Sequence, residues 1–92
     1  MRAVSLLISG RVQKVGYRWW TVGTARRLRL TGWVRNLRDG RVEVLAFGPP
    51  ARIVDLINAC HRGPDAAMVE AVAVEDVAVP TELVGFEQRP TV

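Results

Sequence analysis

An alternating apolar run, Val4, Leu6 and Ile8, is followed after Gly10 by a short segment and then by a helical pattern that begins near Arg18. Period-2 spacing buries one face of a strand, whereas a 3.6-residue period buries one stripe of a helix. The chain must therefore turn from strand to helix within Gly10-Arg11-Val12-Gln13-Lys14-Val15-Gly16-Tyr17-Arg18, a loop with glycine at both ends. Such a junction gathers backbone N–H groups and the positive end of a helix dipole into one concavity. Arg18, in the first helical turn, brings a planar fork of donors suited to two oxygens of one anion. The stretch reads as a seat for a phosphate-like group, with a plain structural turn as the competing reading. Neither GxxxxGK[ST] nor GxGxxG spacing is present.

The same two periodicities order the rest of the chain. Ala3 to Ser9 is expected as the first strand. Tyr17, Thr21, Thr24, Ala25 and Leu28 make the buried stripe of the first helix. Gly23 lies mid-helix, where it costs about 1 kcal/mol relative to alanine, and it reads as a close-packing position. Gly32–Leu37 and Arg41–Phe47 are the second and third strands, joined by the hairpin signal Arg38-Asp39-Gly40. Gly48-Pro49-Pro50 starts a second helix with Ile53, Leu56, Ile57 and Cys60 on its apolar face, and Arg62-Gly63-Pro64 ends it. Ala67–Glu75 is a fourth strand and Phe86–Arg89 a weaker fifth.

This order predicts an α+β fold of ferredoxin-like, split-βαβ type (βαββαβ). Its four- to five-stranded, mainly antiparallel sheet is covered on one face by two helices. Right-handed crossover makes the first two strands parallel, with the third between them. Ninety-two residues correspond to one domain, residues 1–92, burying about 60–65% of its unfolded surface.

Composition narrows the function. The single Cys60 excludes an internal disulfide framework, and no apolar run approaches a membrane span. The N-terminus lacks a secretory pattern, so a cytoplasmic home is expected. Ten of the thirteen basic residues, but one of the nine acids, lie at or before Arg41. A basic half suits nucleic acid, or a site that attracts small anions. For Arg26, Arg27, Arg52 and Arg62, solvated positions are the simpler reading. One His and one Cys cannot build a metal site. Cys60 and His61 diverge by ~100° on their helix, which excludes a thiol–imidazole pair. Trp20 and Trp33 are expected in the core, and Trp19 partly exposed near the loop. Neither a Gly-x-Ser-x-Gly elbow nor paired acids occur.

GRVQ-x-VGYR (from Gly10) and GWVRN-x-x-DGRVEV (from Gly32) together resemble the acylphosphatase family, along nearly the whole chain. The resemblance implies a metal-independent hydrolase with no cofactor, splitting small acyl phosphates into a carboxylate and inorganic phosphate. On the family pattern Gln13, Lys14, Val15, Gly16, Tyr17 and Arg18 bind the phosphate, chiefly through loop N–H groups and the Arg18 guanidinium. Asn36 orients the attacking water, although an Asn before a hairpin also caps turns. Three positions depart from the pattern. Lys14 stands where glycine is usual in the loop, Arg29 interrupts the usual Leu-Gly-Leu, and Gln88 takes a usually apolar place in the last strand. Of these, Lys14 alone is expected at the site. The implied partners are the acyl phosphate and phosphate, with no nucleic acid or membrane and a monomeric chain. Two other readings stand beside this one. The first is an accessory acylphosphatase-like domain without catalysis, once part of a larger carbamoyl-processing protein. The second is a ferredoxin-like RNA-binding module, whose RNP1 aromatics Arg41–Phe47 lacks.

Overall fold

A computed structural model of the chain describes residues 1–80 and 84–92. The elements run β1 (Arg2–Arg11), α1 (Tyr17–Arg27), β2 (Thr31–Asn36), β3 (Val42–Gly48), α2 (Pro50–Arg62), β4 (Met68–Asp76) and β5 (Phe86–Gln88). The sheet order is β4-β1-β3-β2-β5. β3 pairs antiparallel with both β1 and β2, so those two run parallel to each other as the crossover rule requires. The short β5 crosses to the far edge and pairs parallel to β2.

Both helices pack on one face. Val4, Leu6 and Ile8 of β1, with Val34, Val42, Val44 and Ala46, meet Tyr17, Ala25, Ile53, Leu56 and Cys60 in one buried cluster. The opposite register positions face away. Trp33, expected in the core, lies on this open face beside fully buried Val34, half-buried between the guanidinium groups of Arg35 at 4.5 Å and Arg89 at 5.1 Å. Strand alternation forces this, because Val34 takes the core side. Trp20 does pack against the cluster and the Tyr17 ring, at 5.4 Å between centroids.

Three further expectations change. Gly10 belongs to β1 rather than to the loop. There β1 shifts register against β4, and a Cβ on Gly10 would come within 2.2 Å of the Met68 carbonyl oxygen. Gly23 is not needed for close packing, since a Cβ there would meet only the Arg27 side chain, at 3.5 Å. Arg26 is exposed yet not merely solvated: its Nε donates to the Phe86 carbonyl at 3.1 Å and ties α1 to β5.

Candidate active site

Gly16 caps α1 in the left-handed region, at φ 77°, and supplies no side-chain oxygen to the first amides. No acid occupies the first turn. The helix N-terminus therefore keeps free donors and its partial positive charge. Lys14 is also left-handed, at φ 62°. Two such residues in five curl the loop, and the second carries a Cβ that costs about 1–2 kcal/mol.

A cleft of about 160 Å³ opens beside this terminus. Lys14, Gly16, Tyr17 and Arg18 line it from the loop and helix, and Asn36 lines it from the end of β2. Val12, Trp19 and Gln88 complete the wall. Gln88 is thus at the cleft rather than a feature of the sheet edge alone. β5 pairs with β2, and the Gln88–Val34 register places it near Asn36. The position was not legible because nothing local says where a three-residue strand will dock.

Gln13 and Val15 do not line the cleft. The Gln13 carboxamide turns to the hairpin, and its Nε2 donates to the carbonyls of Leu37 at 2.7 Å and Arg41 at 2.9 Å. It braces the loop against the turn that follows Asn36. Val15 packs on the core.

Asn36 is held through its main chain. Its carbonyl accepts from the Val92 N–H at 3.2 Å, while the Val92 carbonyl accepts from the Arg38 N–H at 2.9 Å. Its side-chain Oδ1 is buried with no partner among the described residues. Arg2, Arg35, Arg41 and Arg89 are each paired with a carboxylate. Among the described residues, Lys14 and Arg18 have no such partner. The cleft thus gathers two uncompensated cations, a helix N-terminus and one amide. Among the described residues its wall holds no carboxylate, thiol or imidazole. Nor does any cluster of three metal-ligating side chains occur among the described residues.

Two cations, a helix N-terminus and a neutral amide on one cleft suit a phosphate ester or anhydride, and nearly the whole chain matches one family. The acylphosphatase family model matches residues 4–88. The chain belongs to the acylphosphatase family. It is 47% identical to an acylphosphatase of Rhodospirillum rubrum over 91 residues, 99% of each protein. Its fold superposes on the crystal structure of acylphosphatase from Bacillus subtilis with a TM-score of 0.93 at 31% identity, covering 97% of this chain and 99% of that one. A full-length HypF, in a phosphate- and nucleotide-bound form, also matches with a TM-score of 0.84 at 27% identity, but over 12% of its own length. The 47% identity to an acylphosphatase and the family match favour the enzyme over the accessory-domain and RNA-binding readings. The chain is an enzyme of acyl phosphate hydrolysis. Among the described residues no helix is long and apolar enough to cross a membrane.

Proposed function

We propose that the cleft hydrolyses small acyl phosphates, with Arg18 and the loop amides holding the phosphoryl group and Asn36 orienting the attacking water. The observation that carries this reading is the meeting of Arg18, the uncapped end of α1 and Asn36 on the walls of one cleft. The Arg18 guanidinium offers paired donors to two phosphate oxygens. Lys14 adds positive charge at the mouth. Asn36 lines this cleft, and its carboxamide can both accept from and donate to a water; its buried Oδ1 has no partner among the described residues.

The water oxygen attacks phosphorus, and the P–O bond to the acyl group breaks with its electron pair going to the carboxylate. A carboxylate with a pKa near 4 leaves without a proton, so no strong general acid is required. The water's proton passes to a phosphate oxygen. What remains for the protein is positioning and charge stabilisation, which suits a cleft with no carboxylate, thiol or imidazole among its described lining residues.

Benzoyl phosphate turnover by the pure protein tests the reading, with Arg18 and Asn36 variants alongside. Arg18→Lys is expected to fail nearly as badly as Arg18→Ala, both losing phosphate affinity while staying folded, because a point charge does not copy the fork. Asn36→Ala is expected to lower kcat by roughly 10² or more with little change in phosphate binding. A lysine variant of near-normal rate, or an Asn36→Ala effect confined to KM, would assign the roles elsewhere. EDTA is expected to leave the rate unchanged.

A further inference from the structure

Of the thirteen lysines and arginines in the chain, Lys14 is the single lysine. A guanidinium stays protonated in a protein, so Lys14 carries the one side-chain amine that can act as a nucleophile. It is exposed and lines the cleft. Among the described residues no carboxylate pairs with it, and its four-carbon stem is flexible. The cleft measures about 160 Å³, so a seated acyl phosphate and this side chain share one small space. The substrate has two electrophilic centres. Water attacks phosphorus in the hydrolysis described above, whereas an amine attacks the carbonyl carbon. With the phosphoryl group held at Arg18, that carbon lies one bridging oxygen from phosphorus, and holding it there raises its effective concentration at a neighbouring amine.

We infer that Lys14 is a self-acylation site, taking the acyl group of a bound acyl phosphate in competition with hydrolysis. This rests on the acyl phosphate reading above and adds a second fate for the same substrate. Nζ, as the free amine, forms a C–N bond to the carbonyl carbon. The bond from that carbon to the bridging oxygen breaks, its electron pair leaves with inorganic phosphate, and the amine's proton passes to a phosphate oxygen. The amide that results carries no charge. The cleft then loses one of its two uncompensated cations and holds the next substrate less tightly. On the family pattern glycine stands at this position, and glycine has no amine to acylate.

The test incubates the pure protein with benzoyl phosphate, follows phosphate release, and maps benzoyl groups by peptide mass spectrometry. One benzoyl group on Lys14 is expected, accumulating faster as the pH is raised because the free amine attacks. Inorganic phosphate, which competes for the seat, is expected to slow the labelling. Arg18→Ala is expected to slow it about tenfold or more, since the amine then meets the reagent only by collision. The KM of the labelled protein is expected to rise several-fold. Lys14→Arg, a cation without a nucleophilic amine, is expected to take no label there and to show no drift in its own KM. Lys14 left unlabelled while hydrolysis proceeds would overturn the proposal. So would labelling that neither phosphate nor Arg18→Ala slows, because that is surface chemistry without a seat. A labelled protein of unchanged KM would overturn the effect on binding. If wild type turns over no benzoyl phosphate, the hydrolytic reading itself falls, and the competing acylation with it.

Discussion

Two side chains occupy left-handed backbone where the family pattern has glycine, and each shows what that glycine is for. Lys14 sits at φ 62° in the loop before α1. Arg29 sits at φ 56°, just beyond α1. Its N–H donates to the Arg26 carbonyl at 3.0 Å and the Leu30 N–H to the Ala25 carbonyl at 3.0 Å, the paired bonds of a Schellman motif. In that motif the left-handed residue is usually glycine because a Cβ is penalised there. Arg29→Gly is therefore expected to raise stability by about 1 kcal/mol, read from the denaturation midpoint. Lys14→Gly is expected to stabilise or leave the fold unchanged and to keep kcat within about tenfold, since the loop already adopts the geometry glycine would allow. A wild type that is inert until Lys14→Gly restores turnover would show a misformed loop. Both departures were legible as residues out of pattern. For Lys14 the usual glycine left a positive φ as one of two open conformations; for Arg29 it was not legible, because local propensity alone argues against it.

At the scale of elements, one hydrogen bond joins the start of α1 to the end of α2. The Tyr17 hydroxyl donates to the Cys60 carbonyl at 2.6 Å. That carbonyl lies in the last turn of α2, and the residue four positions on is Pro64, which has no N–H to give. The Tyr17 phenol takes the missing donor's place. Gly63 makes room for it, since a Cβ there would come within 2.7 Å of the Tyr17 ring. Tyr17→Phe keeps the ring and orphans the carbonyl, so a loss of about 1–3 kcal/mol is expected in urea denaturation, with the fold retained. Burial also raises the pKa values of both partners: the Tyr17 phenol goes well above its usual range, and the Cys60 thiol is pushed up from 9.0 to about 12. Each is held neutral in the fold, while the unfolded chain releases the proton earlier. The stability they contribute is complete below about pH 9 and declines as pH rises through 9 toward 12. Unfolding midpoints across that window should fall, and Cys60→Ala should flatten part of the slope.

For the whole molecule, the sheet order sets part of the acidic charge apart from Asn36 and Gln88. The acids Glu70, Glu75 and Asp76 lie on β4 at one edge, with β1 and β3 between them and the strands that carry Asn36 and Gln88. The cleft keeps Lys14 and Arg18 without carboxylate partners among the described residues. A positive potential at the cleft speeds encounter with a small anion and is screened by salt. The ratio kcat/KM for acetyl phosphate is therefore expected to fall several-fold between low and physiological ionic strength, with kcat at saturation changing less. An unchanged ratio would mean that the basic half acts only locally.

What the sequence by itself determined is whatever depends on neighbours along the chain. Period-2 and helical spacings placed the elements to within about a turn. The loop before α1 and Arg18 were singled out as neighbours, which the cleft bears out, and two motifs named the family. Tertiary structure alone decided what depends on which strands lie side by side. It turned Trp33 outward, docked β5 so that Gln88 reached the cleft, and aimed the Gln13 side chain at the hairpin. Those outcomes follow from long-range pairing, and a single side chain carries no local record of the partner it will meet across the sheet.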